Sequence, residues 1–453
     1  MHLSARAPHP EEKAISRETI LSLYVPAIML SLGTGIAAPV LPVYARSFEV
    51  SFATASLIVI LHQFGALFST FPTGYLIDRI GRRPVALMGP LITAMTAFAT
   101  AFAPSFEVLL AIRFVNGGAQ QMWQQARLAM IADAGGARER GKLITWMMSF
   151  TRFGMLFSPV IGGFLGGVDL RLPFIVHGIL VLIAWVPSFK LIKETRPPVM
   201  VREDGKKAGD GDWAFIRSEL FKPQMLWFIT AQVFANLTRG NIQGILNLYV
   251  AFTYNVSTQT LGLMGAANSA LNLPTGFLTG TIMDRYGRKK TIVPGFFGLF
   301  LSSIFLAWTA LTGASFALFL VGYFAIHMSQ GVTSGNMQVL GSDLAPERAR
   351  GRFIGIWRTL AEVGNATSPL VFTALTAVSY AASFSFVAIC ALVVVYAIGA
   401  KVPETVRSRS SGRGRGRREA AEAPPEPPPT EVAANGSTAP PGAAEEEKAA
   451  PRP

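Results

Sequence analysis

The sequence GYLIDRIGRR at residues 74–83 returns in altered form as GTIMDRYGRK at residues 280–289. Five positions carry the same residue in both copies, and Asp284 follows Asp78 by 206 residues. The register continues at an offset of 210 in three further sets: Asp133 with Asp343, the Ser158-Pro159 pair with Ser368-Pro369, and Glu194 with Glu404. Several matches in one register predict that the chain consists of two homologous halves.

Long apolar stretches fill both halves. The chain of 453 residues is 51% hydrophobic and only 15% charged, which is too apolar for a soluble protein of this length. A helix needs about 20 apolar residues to cross about 30 Å of hydrocarbon. Twelve such stretches, here called spans 1 to 12, can be placed at residues 20–45, 52–76, 85–103, 107–132, 143–168, 172–191, 225–253, 259–282, 291–312, 315–341, 353–377 and 380–401. We therefore predict an all-α membrane protein with about twelve transmembrane helices in two pseudo-symmetric six-helix bundles.

The repeat and the spans together predict five segments. These are an N-terminal segment at 1–19, a first bundle at 20–192, a polar linker at 193–224, a second bundle at 225–401 and a tail at 402–453. The linker is too polar for lipid, and we expect a short amphipathic helix near Trp213–Leu220. The tail is rich in Arg, Gly, Pro and Glu and cannot bury enough apolar surface to fold. Two glycines and two prolines between Ser31 and Pro42 predict a bent first span.

The positive charges indicate the orientation. A net charge of +13 does not require nucleic acid, because Lys and Arg cluster in the loops on one side of the spans. This bias predicts a multi-pass protein of the plasma (inner) membrane with both termini in the cytoplasm. No short apolar core with a small-residue cleavage site precedes span 1, so we expect span 1 to remain as an anchor.

The loop between spans 2 and 3 resembles the signature loop of the major facilitator superfamily. The matching residues are Gly74, Asp78, Arg79, Gly81, Arg82 and Arg83, and the second copy supplies Asp284, Arg285, Gly287 and Arg288. The resemblance covers the chain from span 1 to Thr405 and implies the fold of that family, with a motif pattern closest to drug:proton antiporter-like members. Asp78 can cap a helix N-terminus or pair with Arg79 or Arg82. The loops would then act as a conformational latch; the alternative is that they only anchor the topology.

Two further motifs resemble family signatures. Arg113, followed by Gly117 in span 4, resembles the basic residue of proton-coupled members. In span 5, Ser158 replaces the glycine that usually precedes the proline of the antiporter motif. That motif comprises Gly154, Ser158, Pro159, Gly162 and Gly163. Small residues four apart allow close helix packing and Pro159 removes a backbone hydrogen bond, so a kinked packing face is the alternative interpretation.

Polar residues form stripes on spans that line the central cavity in the resembled family. Span 4 places one set on a single helical face, span 7 supplies a second set and span 10 a third. These candidates for a substrate cavity are Asn116, Gln120, Gln124 and Arg127; Asn236, Arg239 and Gln243; and His327 and Gln330. Trp123 is a candidate for an aromatic wall, and His62 for the entrance. The alternative is that these groups join the helices through hydrogen bonds.

Glu362 is the one acidic residue placed well inside a span, and it is the first candidate to carry a proton. Arg358 lies one helical turn earlier, so a static ion pair is the alternative. Arg152 precedes Glu362 by 210 residues and is a candidate to pair with it across the halves. Arg113, Arg152 and Arg358 complete the candidates for proton coupling.

The sequence indicates transport rather than chemistry. It contains no catalytic, metal-binding or phosphate-binding motif, so we expect no enzyme activity, cofactor or metal site. The single cysteine, Cys390, excludes an internal disulfide. We predict a monomeric secondary transporter in the lipid bilayer that moves a small organic solute by alternating access, with proton-coupled efflux. The cavity arginines keep open uptake or exchange of organic anions or metabolites, or facilitated diffusion without protons.

Overall fold

A computed structural model describes residues 24–133, 137–192, 194, 212–333, 335–346 and 350–404. The N-terminal segment, most of the linker and nearly all of the tail therefore lie outside the described residues. Every regular element within the described ranges is helical, as the sequence predicts.

The first half contains six spans in the predicted order. Span 1 consists of Val25–Ala37 and Val40–Arg46, and it is followed by Phe52–Ile80, Arg82–Ala101, Phe106–Asp133, Ala137–Val168 and Leu172–Leu191. The two parts of span 1 meet at a bend of about 40°, which confirms the break that glycine and proline predict.

The second half repeats this order after a short helix at Asp212–Leu220, which confirms the expected linker helix. Span 7 consists of Pro223–Gly240, a π-helical turn at Asn241–Ile245 and Leu246–Thr253. Spans 8 to 12 comprise Thr258–Tyr286, Lys289–Thr312, Phe316–Thr333 with Asn336–Leu344, Arg350–Thr376, and Tyr380–Tyr396 with a π-helical turn at Ala397–Lys401.

Length and mean hydropathy divide the described spans into two sets. Six described helices are long and apolar enough to cross a membrane, and the bent pair of span 1 would make seven. The spans outside this set are 4, 5, 7, 8 and 11.

Local sequence fixes the ends of spans 2 and 8 in the same way. The side chains of Ser51 and Ser257 accept hydrogen bonds of 3.2 Å from the backbone N–H groups of Thr54 and Thr260. Such capping satisfies a donor that the first helical turn leaves without a partner. Both helices end at a glycine with positive φ, at +98° and +111°, where a side chain would be strained.

The bundles touch at the end where the even-numbered spans begin, which we call the closed end. The ring of Phe52 packs edge-on against Tyr380, with centroids 5.3 Å apart. Thr258 donates a 2.9 Å hydrogen bond from its Oγ1 to the carbonyl oxygen of Gly163. Arg46 donates from Nη1 to the carbonyl oxygen of Ala251 at 2.5 Å. These contacts all join the first bundle to the second.

The opposite end carries the two signature loops, and we call it the latch end. A Cβ atom added at Gly74 or at Gly280 would meet no heavy atom of the described part of the chain within 4 Å. The glycines of the closed end are different, because a Cβ atom at Gly163 would lie 2.6 Å from the carbonyl oxygen of Thr258. The bundles therefore pack tightly at the closed end and leave open space beside the loops at the latch end.

Candidate functional site

A cavity of about 1200 Å³ lies between the two bundles. The contacts of the closed end seal it on one side. Its lining continues towards the latch end as far as Leu128 in span 4 and Gly355 in span 11. Both residues are exposed, so the cavity is accessible from the latch end.

Most of the polar residues predicted for the cavity line it. They come from spans 4, 5, 7, 10 and 11: Arg113, Asn116, Gln120, Gln124, Arg152, Asn236, Arg239, His327, Gln330, Arg358 and Glu362. The side chain of Gln243 lies outside the described residues. Both halves thus contribute to one polar cavity.

Two predicted residues lie elsewhere. Trp123 is only 3% exposed and packs against Gly89 of span 3, so the expected aromatic wall is wrong. Arg127 folds back over the Trp123 ring at 5.7 Å and does not line the cavity. Trp123 lies about 100° around the helix from Gln124 and therefore faces span 3, whereas Arg127 shares the polar face but its long side chain lies back over the Trp123 ring.

Span 4 holds its polar side chains in a network. Asn116 donates from Nδ2 to Thr96 Oγ1 at 2.8 Å and accepts from Arg113 Nη1 and Gln120 Nε2, each at 3.3 Å. Thr96 belongs to span 3. The network therefore fixes one face of span 4 against span 3 while Arg113 and Gln120 remain at the cavity.

The second half has a related network that sequence reasoning missed. Asn272 donates to Asn268 Oδ1 at 2.6 Å, and Asn268 lies 3.1 Å from His327 Nδ1. Tyr323 donates to Asn247 Oδ1 at 3.0 Å. Asn268 and Tyr323 follow His62 and Arg113 by the repeat offsets of 206 and 210, so the repeat could have identified them.

His177 in span 6 also lines the cavity, although the sequence analysis did not predict it. His62, which was predicted at the entrance, is a second histidine of the cavity wall. His177 is only 5% exposed and its ring lies directly against Gly33 of span 1. No motif surrounds this histidine, so its position becomes apparent only from the packing of span 6 on the bent span 1.

The centre of the cavity combines several arginines with one acid. Glu362 makes no ion pair with Arg358 within 4 Å among the described residues. Arg152 reaches span 8, where its Nη1 lies 2.9 Å from the place of a Cβ atom on Gly276. The static Arg358–Glu362 pair is therefore wrong for this conformation.

The signature loops are anchored within their own halves. Glu194 accepts hydrogen bonds from the backbone N–H groups of Arg82 and Arg83, at 2.9 and 3.1 Å. Glu404 does the same for Arg288 and Lys289, at 2.9 and 3.0 Å. The acid at the end of each bundle thus caps the N-terminus of the span that follows the signature loop, span 3 in the first half and span 9 in the second, where negative charge is favourable.

Asp78 does not perform the capping expected of it. It is exposed and makes no hydrogen bond or ion pair within the described ranges. Arg79 instead donates to Tyr75 Oη at 2.8 Å, and Arg285 lies over the ring of Tyr286. The side chain of Asp284 lies outside the described residues. Asp78 is thus available for another partner at the latch end.

The motif of span 5 packs on two sides. Ser158 lies against Gly35, and a Cβ atom at Gly162 would lie 1.9 Å from the Ile36 carbonyl oxygen. Gly154 approaches span 1 more loosely. Pro159 and Gly163 instead contact Gly262 of span 8, in the other bundle. Span 5 is thus held between span 1 and the second half.

Comparison with known proteins agrees with these features. The sequence profile described as Major Facilitator Superfamily matches residues 23–238 and 228–432. The quinolone resistance protein NorA of Staphylococcus aureus (strain MSSA476) is 24% identical over 375 residues, or 79% of this chain and 89% of the relative. The class G tetracycline resistance protein of Vibrio anguillarum is 26% identical over 368 residues, or 76% and 87%.

A solved structure supports the fold. The inward open conformation of the xylose transporter XylE of E. coli matches with a TM-score of 0.67 and 16% identity. The match covers 86% of this chain and 98% of that one. The architecture of two six-helix bundles around a cavity is therefore shared despite low sequence identity.

Proposed function

The chain belongs to the major facilitator superfamily and is a multi-pass secondary transporter of a small organic solute, not an enzyme, and we propose that it expels drug-like compounds in exchange for protons. One observation carries the proposal. A polar cavity, lined by both bundles, is sealed at one end and accessible at the other. Alternating access requires one site between two bundles that can tilt against each other. The names of two relatives, as quinolone and tetracycline resistance proteins, support efflux.

We place the latch end in the cytoplasm. The basic residues of both signature loops lie at this end, and positive charge is retained on the cytoplasmic side. In this orientation both termini are cytoplasmic, the protein lies in the plasma membrane and the structure represents the inward-facing state. One chain supplies both bundles of the cavity, which supports a monomer as the working unit.

The moving bodies in this proposal are the bundles at 20–192 and 225–401, joined by the linker at 193–224. The latch would form in the outward-facing state, when the latch ends approach each other. The exposed carboxylate of Asp78, which has no partner in the described part of the chain, supports a role in that other state.

Glu362 is the proposed proton carrier. It faces the cavity and is the one acidic residue among the described residues that line it. A carboxyl group inside the membrane is costly when charged, so proton binding is expected to change with its surroundings. Arg239 and Arg358 on one side and Arg152 across the cavity would influence that exchange as the bundles move.

The test uses purified protein in liposomes with an internal pH dye. Cationic, neutral and anionic solutes, with a quinolone and a tetracycline among them, are added to wild type and to Glu362→Gln. We expect solute-driven proton movement in wild type and none in Glu362→Gln. Glu219→Gln removes an acid outside the cavity and serves as the matched control, which should behave like wild type. Proton movement that persists in Glu362→Gln would contradict this role.

The second candidate is exchange of organic anions without protons. Four arginines and one acid line the described part of the cavity, and this excess of positive charge favours an anionic solute. In the same liposomes, labelled anions that cross without a pH signal, equally well in Glu362→Gln, would favour exchange over efflux.

A further inference from the structure

Two glutamines of span 4 bind the same residue of span 2 in the cavity wall. Gln121 donates from Nε2 to Thr70 Oγ1 at 3.1 Å, and Gln125 donates from Nε2 to the carbonyl oxygen of Thr70 at 3.3 Å. All three residues line the cavity, although the sequence analysis did not predict them there. The two amide groups therefore meet at one residue, and we call these three residues the amide cluster.

The partners within the amide cluster decide which end of each amide faces span 2. The hydroxyl group of Thr70 donates its one hydrogen to the carbonyl oxygen of Ala66 at 3.0 Å, so it can only accept from Gln121. The backbone carbonyl oxygen of Thr70 can likewise only accept from Gln125. Both NH2 groups are thus fixed against span 2, and the amide oxygen Oε1 is the end of each side chain that remains.

The two amide oxygens are accessible from the cavity. Neither oxygen accepts a hydrogen bond within the part of the chain that the structure describes. Neither belongs to the polar atoms that are both buried and without a partner, such as Nδ1 of His62. Because each glutamine is only partly buried and lines the cavity, its oxygen keeps accessible surface there. The amide cluster therefore presents two hydrogen-bond acceptors to the cavity.

Close helix packing holds the amide cluster in place. A Cβ atom at Gly117 would lie 1.9 Å from the carbonyl oxygen of His62, so spans 2 and 4 approach closely one turn before Gln121. Ser69 also donates from Oγ to the carbonyl oxygen of Gly118 at 3.3 Å. Acceptors that are already held in position lose little conformational freedom when a ligand binds.

The amide cluster has no counterpart in the second half. Gly276 follows Thr70 by 206 residues, and Gly331 and Gly335 follow the two glutamines by 210 residues. The place of a side chain at Gly276 is approached by Arg152, whose Nη1 lies 2.9 Å from the position of a Cβ atom there. Glycine at all three equivalent positions shows that the shared architecture does not require the amide cluster.

A solute that enters the cavity must replace the water at these oxygens. Water donates hydrogen bonds to free amide oxygens, and its displacement by a group without a donor loses those hydrogen bonds. A solute group with an N–H or O–H donor restores them, and a charged N–H group forms the stronger hydrogen bond. The amide cluster thus selects for donors, because its own NH2 groups are already used.

From this arrangement we propose that the amide cluster binds a hydrogen-bond donor group of the transported compound, an N–H or O–H group that donates to the oxygens of Gln121 and Gln125. The inference rests on the proposed export function and specifies its substrates as compounds that carry such a donor group.

Gln124 provides a matched control on the same helix. It is exposed and lines the cavity, but its Oε1 already accepts a hydrogen bond from Nη2 of Arg127. Substitution of Gln124 therefore changes the cavity wall without removing a free acceptor.

The experiment measures binding of two fluoroquinolones to the purified full chain in detergent. One carries a piperazine ring with an NH2+ group, and the other is its N,N-dimethyl derivative, which keeps the positive charge without an N–H donor on that ring. A hydrogen bond to a charged group changes affinity by about tenfold or more, so wild type should prefer the N–H compound by at least about tenfold. Gln121→Met and Gln125→Met should each bring the ratio of the two affinities towards one, whereas Gln124→Met should keep the wild-type ratio.

A further variant separates recognition from folding. Gln121→Glu loses the NH2 group that holds Thr70, but its carboxylate still accepts hydrogen bonds. It should keep at least the wild-type preference for the N–H compound. An equal loss of both ligands in Gln121→Met and Gln121→Glu would assign Gln121 to structure alone and overturn the proposal.

Three other results would also overturn it: equal affinity of wild type for the two compounds, an unchanged ratio in Gln121→Met and Gln125→Met, or a loss of preference in Gln124→Met as large as in Gln121→Met. Loss of solute-driven proton movement in liposomes with the binding preference retained would refute only the export function.

Discussion

The two halves of the molecule share their supporting contacts and differ in the cavity. Glu194 and Glu404 cap the same helix in each half, with almost the same distances. Arg83 donates to the carbonyl oxygen of Phe189 at 3.0 Å, and Lys289 donates to that of Gly399 at 3.0 Å. Both acceptors lie 210 residues apart, so the repeat preserves even individual hydrogen bonds.

The cavity breaks this symmetry. The first half presents Arg113 with two histidines, whereas the second half presents Tyr323 at the equivalent place and Glu362 opposite Arg152. Contacts that hold a bundle together are needed twice, but a substrate and a proton each need only one site. The difference teaches that function lies where the halves diverge. Four sets of substitutions test how far the likeness between the halves extends.

The largest effect is expected at the glycines that end spans 2 and 8. Gly81→Ala and Gly287→Ala should each lower stability by about 2–3 kcal/mol, because a side chain is strained in this backbone conformation. The added Cβ atoms would also lie 2.3 and 2.8 Å from the Glu194 and Glu404 carboxylates. The melting temperatures of Gly81→Ala and Gly287→Ala in detergent measure the two losses of stability. Gly74→Ala, with open space around it, should leave stability unchanged or raised. A loss of stability in only one of these two variants would show that the two loops are not equivalent.

A smaller and again equal effect is expected from the capping acids. Glu194→Ala and Glu404→Ala each remove the acceptor for two backbone N–H groups at a helix N-terminus. Loss of such a cap costs about 1–2 kcal/mol. Thermal unfolding of the two variants side by side tests this, and Gln at either position should lie between Ala and wild type. A clear inequality would show that the two loops are not equivalent supports.

The serines before the prolines of spans 5 and 11 should separate the halves. Ser368 donates a short hydrogen bond to the carbonyl oxygen of Leu237, whereas the buried hydroxyl of Ser158 has no partner among the residues that the structure describes. Ser368→Ala should therefore cost about 1 kcal/mol and Ser158→Ala about 0 kcal/mol. Equal losses in thermal unfolding would mean that Ser158 also finds an acceptor.

The smallest change in stability is expected for Asp78→Asn. The exposed carboxylate has no partner within the described ranges, so stability should stay within about 0.5 kcal/mol of wild type. Transport in liposomes should nevertheless fall, since we propose that Asp78 acts in the outward-facing state. Glu107→Gln, at an exposed acid of the closed end, is the control. Full transport by Asp78→Asn would remove Asp78 from the latch.

The sequence predicts the spans and the repeat well. The length of a span is set by the thickness of the hydrocarbon layer, and the repeat is visible in the order of residues, so neither requires knowledge of contacts between helices. The bend of span 1 and the helix at Asp212–Leu220 follow from local residue types in the same way. Contacts between spans depend on rotation and tilt, which local patterns do not determine. Trp123 illustrates this limit: it lies one residue before Gln124, which faces the cavity, yet packs against span 3.

The site was predicted where polar residues follow a helical stripe and missed where packing brings them together. Gln120 belongs to the polar stripe of span 4 and Gln330 to that of span 10. They occupy equivalent positions in the repeat, and both line the cavity. His177 has neither signal, and only the glycine of span 1 beside its ring places it there. The capping role of Glu194 was missed because Asp78 is nearer in sequence, whereas the end of span 6 is nearer in space.

The central claim is that the closed end and the latch end open in turn. Spin labels at Val108 and Ser315 report the closed end, and labels at Ile80 and Tyr286 report the latch end, with the buried Cys390 replaced by Ser. Distances are measured in lipid nanodiscs with and without transported solute at high and low pH. The account predicts that the closed-end distance lengthens whenever the latch-end distance shortens. Distances that stay fixed during active transport, or that change together in the same direction, would contradict it.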